Sequence, residues 1–299
     1  MAPKNSMPGK KRKEINHKEE TRKNYPEFIS NFLGELIGTL ILVIWGCCSV
    51  AVTLFFSSHF GLFQVAAVWG ISVSLAIYAT RHISCAHLNS SVSIAMVISG
   101  RMKARKLFSY LLGQFSGAFF AAVLLYILFS SVIVQYESVN DIVRGSPDSI
   151  RTAMMFGEFY PNPGIGHEVA VSTINAFLAE MIGTFGLVFL IFSLTDGCNV
   201  GRPDDSLSLL FIGLSITVII SVIAPLTQAG SNPTRDLSPR MFAYFAGWKE
   251  AAFPDSHGGL LTVYVLAPIT GGILAALLFE KIIKPIMSNK NSIKTYKCP

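Results

Sequence analysis

Asn89-Ser90-Ser91 and Asn232-Pro233-Thr234 stand 143 residues apart, and each opens a stretch, about 89–99 and 232–245, that is too short to cross a bilayer. A helix rises ~1.5 Å per residue, so roughly 11 to 14 residues reach only part of a hydrocarbon core ~30 Å thick. Such segments are buried or re-entrant, and non-helical backbone leading into them is tolerated at that depth only when packed in protein or lining water. Asparagine is a good N-cap, its oxygen accepting from the first free amides of a helix while its NH2 group points elsewhere. Two half-helices meeting N-terminus to N-terminus would set two NH2 donors and two positive dipole ends at one place. A water or alcohol oxygen is accepted there, whereas a cation or migrating proton meets a barrier.

The two motifs belong to an internal repeat. Glu35-Leu36-Ile37-Gly38-Thr39 returns as Glu180-Met181-Ile182-Gly183-Thr184, and Gly70-Ile71-Ser72-Val73 as Gly213-Leu214-Ser215-Ile216. Gly117-Ala118-Phe119-Phe120-Ala121-Ala122 returns as Gly271-Gly272-Ile273-Leu274-Ala275-Ala276 at a larger offset, as an insertion near 246–260 requires. One match of this kind between apolar helices is common; several in chain order are not.

Composition sets the class: 51% of the 299 residues are hydrophobic and 14% charged. The chain offers six apolar spans, at 28–56, 63–80, 107–134, 171–195, 207–224 and 260–282. Three spans per half is an odd number, so the halves enter the membrane in opposite orientation, with the functional site near the midplane where they meet. The reading is an all-α membrane protein with six transmembrane helices plus two re-entrant half-helices. A basic tail, 1–27, expected to be disordered, precedes a channel domain, 28–286, made of repeat one (28–134), a connecting loop (135–170) and repeat two (171–286). A second tail, 287–299, follows.

Orientation follows the basic residues. Eight Lys/Arg crowd the first 27 residues, without the apolar run of a cleavable signal peptide. Arg101, Lys103, Arg105 and Lys106 precede the third span, and Lys281, Lys284, Lys290, Lys294 and Lys297 follow Glu280. Loop 135–170 carries Glu137, Asp141, Asp148, Glu158 and Glu168 against Arg144 and Arg151. Both termini are therefore expected to be cytoplasmic, with 196–206, which holds Asp196, Asp204 and Asp205 against Arg202, as the weak point. The net charge of +6 then reports topology, not nucleic-acid binding, although the tail can touch anionic lipid.

At the two motifs the chain resembles the major intrinsic protein family of aquaporins and glycerol facilitators. Ser84-Cys85-Ala86-His87-Leu88-Asn89-Ser90-Ser91-Val92 is similar to its Ser-Gly-Ala-His-x-Asn-Pro-Ala-Val, and Asn232-Pro233-Thr234-Arg235-Asp236 to its Asn-Pro-Ala-Arg. Asp236, the long third loop with Asp141-Ile142-Val143-Arg144-Gly145-Ser146 and Tyr160-Pro161-Asn162-Pro163, and the Gly247-Trp248 pair are marks of the glycerol-conducting branch. The resemblance implies pore asparagines Asn89 and Asn232, a filter of Trp69, Ile220, Ala229 and Arg235, and Cys85, Ala86 and His87 along the pore. It also implies a homotetramer in which each chain is a passive channel for glycerol and water, with urea as a further candidate solute, that excludes ions and protons. The simplest location is the plasma membrane, and no cofactor, metal or enzymatic activity is expected.

In such a filter Arg235 donates to solute hydroxyls and repels cations, and Trp69 walls the carbon side. Ile220 and the small Ala229 make it apolar and wide. Ser90 and Ser91 replace the family's Pro and Ala, and Ser still permits a helix start. Cys85 replaces a Gly, which narrows the pore or leaves a mercurial-sensitive thiol. Glu35 and Glu180 are intramembrane carboxylates that are expensive unless satisfied. They are expected to brace the half-helix loops by accepting backbone N–H groups. Two other classes stay open: an ion- or proton-coupled inverted-repeat transporter using Glu35 and Glu180 as coupling groups, and a non-conducting structural relative. The five cysteines lack metal-ligand spacing, and no phosphate loop or nucleophile motif appears.

Overall fold

The structure, a computed structural model, describes residues 25–59, 61–165, 170–253 and 259–292. The basic tail up to residue 24, Glu168, Lys294 and Lys297 lie outside these residues. Among the described residues six helices are long and apolar enough to cross a membrane: α1 (Glu27–Phe56), α2 (Leu62–Thr80), α4 (Leu107–Val139), α5 (Thr173–Thr195), α6 (Asp205–Thr227) and α8 (Gly259–Asn289). Between them sit two short helices, α3 (Ser90–Ile98) and α7 (Pro233–Ala243), begun by Asn89 and Asn232.

Several helices outrun their apolar stretches. Helix α4 continues through Gln135-Tyr136-Glu137-Ser138-Val139, and the last helix runs past 286 to Ser292. Apolar periodicity marks only the hydrocarbon layer, whereas polar residues extend a helix into the interface. Helix α6 passes through Pro225 to Thr227, one turn beyond the expected 224.

The helices are apolar outside and small or polar inside. In α1, Asn31, Gly34, Glu35, Gly38, Thr39 and Leu42 are buried, while Leu33, Ile37 and Trp45 are exposed. Lipid tails are as apolar as leucine, so close backbone packing through small residues, and not exclusion of water, holds such helices together. Helix α1 packs on α2 and α4, α5 on α6 and α8, and α2 crosses α6. At that crossing a Cβ on Gly70 would strike the carbonyl of Gly213, and one on Gly213 the carbonyl of Gly70. Gly117 lies on the backbone of Leu36 in α1, and Gly271 lies on Met181 of α5 in the same way. The half-helices interlock the two halves, for α3 packs against α8 and α7 against α4.

Replacing Gly117 or Gly271 with Val should force these helix pairs apart at a cost of about 1–3 kcal/mol or more. Gly186, which faces open space, should accept Ala with no loss. Thermal stability in detergent tests the pair, and equal tolerance at Gly117 and Gly186 would contradict the packing.

Candidate solute pore

Two non-helical loops reach the middle of the molecule with the same backbone. Cys85, Ala86 and Leu88 adopt positive φ angles of 81°, 52° and 54°, and Gln228, Ala229 and Ser231, each 143 positions later, adopt 60°, 63° and 48°. None is glycine, so each such residue costs roughly 1–2 kcal/mol. Two buried carboxylates offset that cost. Glu35 accepts from the backbone N–H of His87 (2.9 Å) and Leu88 (2.7 Å), from the Ser84 hydroxyl (2.8 Å) and from the Gln114 amide (2.8 Å). Glu180 accepts from the N–H of Gly230 (2.8 Å) and Ser231 (2.6 Å) and from the Thr227 hydroxyl (2.6 Å). The hydroxyls of Ser84 and Thr227 in turn accept from the N–H of Ala86 and Ala229. Tyr110 and Tyr264 donate to the carbonyls of Ser84 and Thr227.

The loops deliver the two asparagines to one point. Asn89 Oδ1 caps α3 by accepting from Ser91 and Val92, and Asn232 Oδ1 caps α7 by accepting from Arg235. Their NH2 groups do not both point free. Asn89 Nδ2 donates to the carbonyl of Ser231 and Asn232 Nδ2 to that of Leu88, both at 2.8 Å. Each amide thus spends one hydrogen on the opposite loop and keeps one.

A cavity of about 420 Å³ runs along these groups. Ile77, Leu187, Ile191, Ile212 and Ile216 form an aliphatic side, and Cys85, Ala86, His87, Leu88, Asn89 and Gly230 to Asn232 a more polar one. A second cavity of about 400 Å³ lies beyond, lined by Thr53, His59, Glu158, Asn162 and Ile165. Trp69, Ile220, Gln228 and Arg235 line both, which makes them the wall between the two. Three residues of the expected filter therefore line both cavities, and Ala229 lines the first alone. Gly46 of α1 leaves the space that the Trp69 ring fills. The Arg235 guanidinium carbon sits 4.1 Å from that ring's centroid. His87 is inside the cavity wall, with Nδ1 3.2 Å from Ser93 Oγ and its ring packed on Tyr110.

Three contributors were not singled out from the sequence. Glu158 forms an ion pair with Arg235, and among the described residues it is the only carboxylate to do so. The side-chain oxygen of Gln228 accepts from Phe159 N–H (2.8 Å), fixing the long loop against the wall between the two cavities. Gln114 links Glu35 to Ser93. Glu158 registered only as one of several acids in a loop, and no local pattern distinguishes Gln228 or Gln114. Asp236 does not line either cavity. It holds Arg240 (2.9 Å) and accepts from the N–H of Glu158 (2.7 Å), so it positions the acid that meets Arg235. Trp248 is buried, donates to Thr152 and stacks under Arg144, whose guanidinium pairs with Glu137. These contacts seat the long loop on the second repeat.

At the other mouth Arg101 pairs with Asp196 (2.5 Å) and Glu280 (2.6 Å), and Lys284 with the same two acids. The acids that made loop 196–206 look misplaced are thus partly answered by cations on the same face. Burial pushes the Asp196 carboxyl up, but the Cys198 N–H and the Arg101 and Lys284 cations outweigh it and hold it below the usual range. A depressed carboxylate stabilises the fold fully above its unfolded value of ~4, and that contribution is lost as pH falls through the lowered one.

The sequence pattern of the family described as Major intrinsic protein matches residues 22–279. The glycerol uptake facilitator protein of Pseudomonas aeruginosa is 41% identical over 253 residues, covering 85% of this chain and 87% of that protein. The glycerol uptake facilitator protein of Haemophilus influenzae is 39% identical over 255 residues, covering 85% and 94%. The X-ray structure of the aquaglyceroporin from Plasmodium falciparum superposes with a TM-score of 0.74 at 24% identity, covering 88% of this chain and 99% of that one.

Glu180→Ala leaves two buried N–H groups and a hydroxyl without their acceptor, at about 1–3 kcal/mol each. The variant should insert poorly or melt at a clearly lower temperature, and Glu180→Gln, which keeps one acceptor oxygen, should fall between. A melting temperature unchanged in Glu180→Ala would mean that the carboxylate does not brace the loop.

Proposed function

We propose, from the premise that this chain belongs to the major intrinsic protein family, that it is a passive transmembrane channel for glycerol and water, admitting urea and other small neutral solutes. The observation that carries the reading is the wall shared by the two cavities, to which Trp69, Ile220 and Arg235 contribute, at the end of a line of loop groups. A polyol has one hydroxyl edge and one carbon edge. Arg235 donates to the first and repels cations, while Trp69 and Ile220 face the second. Glu158 holds one side of the guanidinium, which fixes its plane and moderates its charge.

Past the filter, the remaining hydrogens of Asn89 and Asn232 serve a passing oxygen at the meeting point of two positive helix ends. Ions lose hydration there without replacement, and a proton on a water chain is opposed by the same field. The small Ala229 leaves the filter wider than an aromatic at that position would. A coupled transporter would need Glu35 or Glu180 to exchange protons or bind ions, and the donors already gathered on each speak for bracing. Arg105 and Lys106 meet Glu27 at the start of α1 and Arg101 meets Glu280 near the end of α8, and this gathering of cations supports cytoplasmic termini, with the plasma membrane as the simplest location. Membership of the family supports assembly as a homotetramer within lipid.

Stopped-flow light scattering on proteoliposomes of the purified chain should show glycerol and water permeability well above protein-free vesicles, with low activation energies. Inserted protein that passes neither solute would sink the channel reading. Ala229→Phe should cut glycerol flux about tenfold or more while reducing water less, because only the larger solute needs the lost width. Replacing Asn232 or Arg235 should alter flux or selectivity without abolishing insertion, and unchanged selectivity in inserted variants would count against their pore roles.

A further inference from the structure

The junction of the two half-helices is symmetric in its asparagines and asymmetric one residue later. In the first motif Asn89 Oδ1 alone caps its helix, accepting from the second and third amides, Ser91 N–H (2.9 Å) and Val92 N–H (3.4 Å). In the second motif Asn232 Oδ1 accepts from the third amide only, Arg235 N–H at 3.4 Å. The second amide, Thr234 N–H, crosses to the other half-helix and donates to Ser90 Oγ at 3.3 Å. The freed capacity of Asn232 Oδ1 is taken by Ser90 N–H, also at 3.3 Å. Ser90 therefore gives one bond and receives one across the midplane, and it is buried at 5% exposure. The reverse bridge cannot form, because the residue equivalent to Ser90 is Pro233, which has no N–H.

We propose that Ser90 is a positioning residue for the pore asparagine Asn232. It shares the asparagine's carbonyl oxygen and takes over one of its capping duties, so the direction of the Asn232 NH2 group is set by the opposite half-helix as well as by its own. The inference rests on the channel reading, since it concerns the donor that a passing solute meets. Ser91 beside it is a contrast, for its hydroxyl is fully buried and has no hydrogen-bond partner. Only one of the two serines that distinguish this motif has a polar task.

The test is a graded series in proteoliposomes: Ser90→Thr keeps both the N–H and the hydroxyl, Ser90→Ala keeps the N–H alone, and Ser90→Pro keeps neither. Each lost bond is worth about 0.5–1.5 kcal/mol, which corresponds to roughly a twofold to tenfold change. The glycerol-to-water permeability ratio should stay at the parent value in Ser90→Thr, shift about threefold in Ser90→Ala and shift further in Ser90→Pro, with Ser91→Ala unchanged. A merely structural role would lower the yield of inserted protein and leave the ratio per inserted channel alone. If Ser90→Pro does not insert, Ser90→Ala decides. A parent that conducts glycerol while Ser90→Ala keeps the parent ratio overturns this inference and leaves the channel reading intact. A parent that conducts neither solute overturns both.

Discussion

A loop that is neither helix nor strand survives at the middle of a membrane only if its backbone groups are satisfied by protein or by pore water, and everything else in this structure depends on how that is done. Glu35 and Glu180 supply acceptors where no bulk water can, and they do so twice over, at the same positions of two repeats. A carboxylate there is costly alone, but three or four donors converge on each. The groups are thereby committed to holding geometry. The strained residues Cys85, Ala86 and Leu88, with Gln228, Ala229 and Ser231, persist because their surroundings over-determine them.

The second constraint is how closely the halves must approach for the two loops to meet. Gly70 and Gly213 bring α2 and α6 together backbone to backbone, while Gly117 and Gly271 do the same for the outer helix pairs. The half-helices then pack on the last helix of the opposite repeat, so that neither half can rock without dragging the other's loop. Rigid supports of this kind suit a fixed pore better than an alternating carrier.

Much of this was legible in the sequence because the repeat is written in small residues, carboxylates and asparagines, each of which is conspicuous inside an apolar span. The half-helices announced themselves by being too short. What stayed hidden was contact between distant segments. Glu158 reaches Arg235 from a loop whose acids looked like part of a charged outer loop, and no local pattern marks Gln228, which holds Phe159. The left-handed positions fall on Cys, Ala, Leu, Gln and Ser, with no glycine to mark them. The capping argument left the direction of each asparagine NH2 group open, and the cross-bonds to Leu88 and Ser231 require the two halves to be assembled before they can be seen. Ser90 looked like a tolerated replacement for proline; its N–H and hydroxyl acquire meaning only opposite Asn232 and Thr234.

The central claim is a static pore held by saturated carboxylates, and the most direct measurement of it is glycerol flux against glycerol concentration with every ion and pH gradient collapsed. The account predicts flux that rises in proportion to concentration, without saturating over the accessible range, and that is the same with and without the gradients. Flux that saturates at low concentration, or that vanishes when the proton gradient is removed, would mean that Glu35 or Glu180 changes state during transport, and would contradict it.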